Sequence, residues 1–159
     1  MLFEENYTVF SDRLLLGIPI IDEQHTNLVR MTNNLRYACL KGQETASHRF
    51  LRSVEEIIDF FHLHFQTEEK LMSILEFDGM YDHQKEHDEF FWNMLDYAKM
   101  FREGQSSAPD PFVRLLSDWI PSHISFSDRL FADYCLNMEH HCKMKLTLVM
   151  TPEWQTLSA

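Results

Sequence analysis

Two histidine-centred pairs with helical spacing lie close together in the middle of the chain. His64 precedes Glu68 by four residues, and His83 precedes His87 by the same interval. Residues four apart on an α-helix project from one face and can converge on a common point. Imidazole and carboxylate groups are common metal ligands. Because an Asp-Gly step at 78–79 marks a turn between the pairs, this stretch predicts two antiparallel helices that present ligands to a metal between them.

Apolar residues recur with a period of about 3.6 along four segments, the pattern of amphipathic helices packed around a core. The predicted helices span about residues 22–41, 44–76, 81–103 and 110–136. Gly17 and Pro19 argue against helix near the N-terminus, and Pro121 should bend the fourth helix. Four helices with short connections predict an all-α fold, an antiparallel up-down-up-down four-helix bundle.

Length and composition indicate one globular domain, since 45% of the 159 residues are hydrophobic and 25% are charged. We assign residues 1–136 to this domain and residues 137–159 to a C-terminal extension, either part of the same domain or a short extra helix. The net charge of −11 argues against nucleic acid or an anionic membrane as a partner. Without a membrane-length apolar run or a basic secretory signal, we predict a cytoplasmic protein.

Every predicted helix carries metal-ligating residues on or beside its apolar stripe, where burial is costly unless the group is paired or bound. The seven residues are His25 on the first helix, His64 and Glu68 on the second, His83 and His87 on the third, and His123 and Asp128 on the fourth. Five imidazoles and two carboxylates exceed the needs of one metal ion but fit two ions that share bridging carboxylates. The set predicts a two-metal site in the core of the bundle.

The spacing of His123 and Asp128 fits a regular helix less well than the other pairs do. The two residues are five apart, which corresponds to about 140° around an ideal α-helix. Either the carboxylate reaches sideways, or a local bulge near Pro121 brings both side chains to one face.

The ligand pattern and the residues around it resemble the hemerythrins, particularly the bacterial single-domain ones. The matching segments read GIPIIDEQHTNL around His25, HFQTEEKLM from His64, HQKEHDEF from His83 and WIPSHISFSD up to Asp128. They extend over about residues 10–135, on four separate parts of the chain.

This resemblance implies a non-haem di-iron centre that binds O2 reversibly. One iron would be held by His83, His87 and His123, and the other by His25 and His64. Glu68 and Asp128 would bridge the irons together with an oxo or hydroxo group, leaving one position of the second iron open for O2. Residues at the positions that line the O2 pocket in relatives are Trp119, Ile120 and Ile124.

Reversible O2 binding, as a carrier, store or scavenger, is therefore the predicted function, and the chain is not expected to be an enzyme. It has no Glu-x-x-His segment, which ferritin-like di-iron proteins use, and a site rich in histidine stabilises high-valent iron less. Two alternatives stay open: an O2 or redox sensor acting through residues 137–159, and a di-iron enzyme acting on nitric oxide or peroxide. The expected partners are O2 and an unidentified reductase or signalling protein. A structural zinc bundle is the non-functional alternative.

Overall fold

The computed structural model describes residues 11–40, 48–104 and 109–137 of the chain, and these residues are almost entirely helical. The helices are α1 (Pro19–Leu40), α2 (His48–Leu75), α3 (Met80–Arg102), α4 (Pro109–His123) and α5 (Arg129–Asn137), with a 3-10 turn at Asp12–Leu14 before them. A π-helical stretch, Ile124–Asp128, joins α4 to α5, so that the three form the fourth helix of the bundle. Helix α1 packs on α2 and α4, and α3 packs on the same two helices. The predicted four-helix bundle is confirmed.

The apolar stripes of the helices meet in one continuous core. Its largest fully buried side chains are aromatic: Phe50, Phe61, Phe112 and Phe131. Phe61 lies edge-on to Phe90 of α3, with ring centroids 5.2 Å apart, which is an arrangement that pairs of aromatic rings prefer. The predicted ligands of α2 and α3 are buried in this core, in the second half of α2 and near the start of α3.

Helix α1 begins three residues before the predicted start. Pro19 is its first residue, where the missing N–H would have no helical partner and the fixed φ suits the first turn. The expectation that Pro19 excludes helix is therefore wrong at this position. Gly17, with φ of +81°, makes the turn that leads into the helix.

Asp22 links this turn to α1 through hydrogen bonds. Its carboxylate accepts hydrogen bonds from the backbone N–H of Leu16 at 2.8 Å and of Gly17 at 3.0 Å. A negative side chain in the first turn also interacts favourably with the helix dipole.

The connection between α2 and α3 is short and closely packed. A Cβ atom on Gly79 would lie 2.7 Å from the ring of Phe77, so glycine permits this approach. The hydroxyl of Tyr134 donates to the carbonyl oxygen of Leu75 at 2.9 Å, which satisfies an acceptor at the end of α2.

Some predictions concern residues that the structure does not describe. The expected start of the second helix at 44 and the extension 138–159 lie outside the described residues. None of the described helices is long and apolar enough to cross a membrane.

Replacing Asp22 by Ala should lower the free energy of unfolding by about 1–3 kcal/mol, because two backbone donors lose a charged acceptor. Urea unfolding of the metal-free protein measures this difference. Thr26→Ala is the matched control, since its exposed hydroxyl bonds only to the carbonyl of Asp22 in the same helix. Equal urea midpoints for both variants would contradict a stabilising role for the hydrogen bonds of Asp22.

Candidate metal centre

Seven buried side chains from all four helices of the bundle come together inside it. They form two groups in which the potential ligand atoms lie within 4.8 Å of one another. The three-histidine group contains Glu68, His83, His87, His123 and Asp128, and the two-histidine group contains His25, His64, Glu68 and Asp128. None of the seven residues is more than 4% exposed. The structure brings together all the residues predicted as ligands, and their role as ligands stays a prediction.

The nitrogen atoms of the three-histidine group approach one another closely. Nε2 of His123 lies 3.0 Å from Nε2 of His87 and 3.2 Å from Nε2 of His83. Metal–nitrogen bonds of roughly 2.1 Å at right angles place two donor atoms roughly 3.0 Å apart. Lone pairs that face each other at this distance repel unless a proton or a cation lies between them. The spacing therefore fits a cation held by three imidazoles.

Glu68 and Asp128 each face both groups. Asp128 places Oδ1 3.0 Å from Nε2 of His123 and Oδ2 3.1 Å from Nε2 of His25. Glu68 places Oε2 3.2 Å from Nε2 of His87 and Oε1 3.7 Å from Nε2 of His25. Asp128 thus offers one oxygen to each group, whereas Oε2 of Glu68 also lies 3.5 Å from Nε2 of His64. Both carboxylates contact both groups, as a bridge between two metal ions requires.

Several of these atoms are buried without a hydrogen bond to any described residue. They are both carboxylate oxygens of Glu68, both of Asp128 and both ring nitrogens of His25. These atoms have at most ion-pair contacts within the cluster, and buried ionisable groups that lack hydrogen bonds are costly unless they bind a metal. Nitrogen and carboxylate oxygen donors suit iron as well as zinc. The atoms without hydrogen bonds face the two groups, so the residues fit a pair of metal ions.

The π-helical stretch explains the spacing of the ligands on the fourth helix. A π-helix bonds each residue to the fifth one along, so it brings His123 and Asp128 to one side. Of the two explanations that the sequence left open, the structure contains the bulge, directly after His123. Pro121, two residues earlier, lies within α4.

Burial and mutual contact shift the pKa values of the clustered groups. Burial lowers the pKa of His25 and of His87, but Asp128 and Glu68 beside His25, and Glu68 and Glu69 beside His87, outweigh burial and raise both values to about 9. Burial lowers the pKa of His64 to about 3. Burial opposes ionisation of Glu68, yet the surrounding histidines hold its pKa well below the usual range.

Three of the histidines are held from behind by side chains of a neighbouring helix. Nδ1–H of His64 donates to Gln24, that of His87 to Glu69 and that of His123 to Glu86, and each donor–acceptor distance is 3.0 Å. These bonds fix each ring with Nε2 toward the cluster. Further hydrogen bonds fix the acceptors in turn. Gln24 donates to Thr67, Gln84 donates to Glu69, and Ser127 donates to Glu86.

Gln24 and Glu86 were not identified from the sequence, although each lies directly beside a predicted ligand. Glu69, in contrast, was expected to face away from the metal site and to pair with a lysine or a histidine nitrogen, and it does pair with His87. Consecutive residues of a helix point about 100° apart, so the neighbour of a ligand turns toward the adjacent helix. Gln24 of α1 thus reaches α2, Glu69 of α2 reaches α3 and Glu86 of α3 reaches α4. A hydrogen-bonding residue adjacent to a ligand is the signal that could have found them.

A small cavity adjoins the two-histidine group. It has about 160 Å³ of empty space, which is partly open to solvent and too narrow for a water molecule, and its lining is His25, Leu28, His64, Trp119, Ile120, His123, Ile124 and Asp128. The predicted pocket residues Trp119, Ile120 and Ile124 all lie here, together with Leu28, which the sequence prediction missed. Trp119 stacks between Phe90 and His123, with centroid distances of 3.9 and 4.1 Å.

Comparison with known proteins agrees with this arrangement. The family model described as "Hemerythrin HHE cation binding domain" matches residues 16–135. The chain belongs to the hemerythrin family. The predicted resemblance is therefore confirmed, over a segment that includes all seven clustered residues.

Relatives in this family include proteins named bacteriohemerythrin. The one from Pseudomonas aeruginosa is 33% identical over 127 residues, which cover 80% of either chain. The one from Stenotrophomonas maltophilia is 30% identical over 125 residues, or 79% of either chain. The one from Methylococcus capsulatus is 27% identical over 121 residues, or 76% of this chain and 89% of that one.

The metal-free protein should lose stability as the pH rises from 6.5 to about 9. His25 and His87 have pKa values raised from 6.5 to about 9 in the folded state, so their contribution is fully present below 6.5 and is lost as the folded protein gives up those protons. Thermal unfolding of chelator-treated protein across this range measures the loss. Protein loaded with a divalent metal is the control, because bound metal replaces these protons. A metal-free protein that becomes more stable between pH 6.5 and 9 would contradict this charge balance.

Proposed function

We propose that the chain binds O2 reversibly at a pair of iron ions, held by the two groups and joined by a bridging oxo or hydroxo group. His83, His87 and His123 would hold one iron, His25 and His64 would hold the other, and Glu68 and Asp128 would bridge them. When bound, the ferrous pair supplies the electrons that O2 takes up and returns. Membership of the hemerythrin family supports this assignment.

The observation that carries the proposal is the position of the cavity relative to the two groups. The two-histidine group has one donor residue fewer than the three-histidine group. Both of its histidines line the cavity, whereas only His123 of the other three does so. The group with fewer protein donors is therefore the one that adjoins the cavity.

The lining of the cavity favours binding without further chemistry. Apart from residues of the two groups, it consists of Leu28, Trp119, Ile120 and Ile124. These side chains offer no acid or base to a bound molecule. Proton transfer, which reduction of nitric oxide or peroxide requires, has no donor among these four residues. We therefore propose a carrier, store or scavenger of O2 rather than an enzyme.

Reduced, iron-loaded protein should develop a visible absorption band on exposure to air and lose the band when O2 is removed. His64→Ala should bind less iron and show no band, because Nε2 of His64 faces Glu68 at 3.5 Å inside the cluster. The control His62→Ala removes an exposed histidine from the same helix and should leave both properties unchanged. Absence of a reversible band in wild-type protein that holds two irons would refute O2 binding.

Trp119 should control access to the cavity. Among the residues described around it, Trp119 alone is partly exposed, so its side chain lies between the cavity and solvent. Trp119→Ala should therefore speed both O2 release and oxidation of the iron severalfold, and Trp119→Phe should have a smaller effect. Stopped-flow spectroscopy measures the two rates. The control Trp92→Ala removes a tryptophan that is 66% exposed on α3; an equal effect there would argue against a specific role for Trp119.

A further inference from the structure

We propose that Glu69 and Glu86 determine the order in which the two irons are reduced, because they place negative charge behind the three-histidine group alone. This inference rests on the proposed iron pair. Neither residue belongs to the two groups of clustered side chains, so both act through the histidines that they contact and are positioning residues.

The contacts on the three-histidine side are well defined. Oε1 of Glu69 accepts a hydrogen bond from Nδ1 of His87 at 3.0 Å, and Oε2 of Glu86 accepts one from Nδ1 of His123 at 3.0 Å. Gln84 donates to the other oxygen of Glu69 at 3.0 Å. Each carboxylate thus holds one imidazole with Nε2 directed into the cluster.

Among the described residues, no carboxylate accepts a hydrogen bond from Nδ1 of either histidine in the two-histidine group. His64 is held by the neutral amide of Gln24, whose Oε1 lies 3.0 Å from Nδ1 of His64. Nδ1 of His25 has no hydrogen bond to any described residue. Glu68 and Asp128 face both groups, so their charges do not distinguish the two irons. The difference comes from the residues behind the imidazoles.

A carboxylate behind an imidazole makes the ring a stronger donor and stabilises the more highly charged metal ion. Glu69 and Glu86 should therefore favour Fe(III) over Fe(II) in the three-histidine group. Solvent screens Glu86 more, because its side chain is 50% exposed whereas that of Glu69 is 26% exposed. Glu69 should consequently contribute the larger share.

This asymmetry gives the reduction a direction. Starting from two Fe(III) ions, the two-histidine group would take the first electron from a one-electron reductant, and the three-histidine group would take the second at a lower potential. The iron beside the cavity is thus the first to become ferrous and the last to be oxidised by an outer reagent.

The test is a spectroelectrochemical titration of iron-loaded protein without O2, which gives both one-electron potentials. Glu69→Gln keeps the shape and the hydrogen bond but removes the charge. It should raise the lower potential by about 59 mV, which corresponds to a tenfold fall in the preference for Fe(III). Glu86→Gln should raise the same potential by less.

Gln24→Glu is the matched variant on the other side, where it places a carboxylate behind His64. It should lower the higher potential, so that variants on opposite sides both narrow the gap between the two values. A general loosening of the site would instead move both potentials together. Because Gln24→Glu and the glutamate variants act on different helices, either arm tests the inference if the other fails to take up iron.

The two proposals fail in distinguishable ways. Wild-type protein that binds O2 reversibly, with variants whose potentials stay unchanged or shift in parallel, would overturn the role of Glu69 and Glu86 alone. Wild-type protein that holds two irons but no O2 would overturn the proposed function, and opposite shifts would still support the inference. Wild-type protein that cannot hold two irons would overturn both.

Discussion

Two carboxylates without exposed surface occupy the interior of an apolar bundle, and most of the structure follows from that constraint. Glu68 and Asp128 are 0% exposed, and a buried negative charge demands compensating positive charge nearby. Five imidazoles, contributed by four helices, surround the pair and can carry protons or hold metal ions. The apolar core strengthens this requirement, because charges in a low dielectric interact more strongly than they do in water. The packing of the core and the charge balance of the site therefore depend on each other.

A second constraint is register along the fourth helix. The shared carboxylate of Asp128 must lie on the same side as His123, while the apolar residues before and after must still reach the core. A regular α-helix cannot meet both demands at a spacing of five. The π-helical stretch Ile124–Asp128 meets them, since it changes the helical phase between α4 and α5 without breaking the helix. One local irregularity thus keeps a ligand-type residue and the packing in place together.

Much of this arrangement could be predicted from the sequence because hydrophobic periodicity and ligand spacing are local properties. The apolar stripes predicted the helices, and polar residues within them predicted the clustered side chains. The start of α1 was missed because Pro19 breaks helices inside but suits their first turn. Gln24 and Glu86 were missed for a different reason. Their partners lie on other helices. Only the fold shows which helix lies beside a given residue.

Because Gln24, Glu69 and Glu86 accept hydrogen bonds from histidines of other helices, the metal centre also depends on complete assembly of the bundle. Each helix orients a histidine on the next one, from α1 to α2, α2 to α3 and α3 to α4. A chain with one helix undocked therefore has at least one ring free to turn away, besides the ligand-type residue lost with that helix. Partly folded intermediates should hold metal poorly, so metal uptake selects the finished bundle and couples its four helices into one cooperative unit.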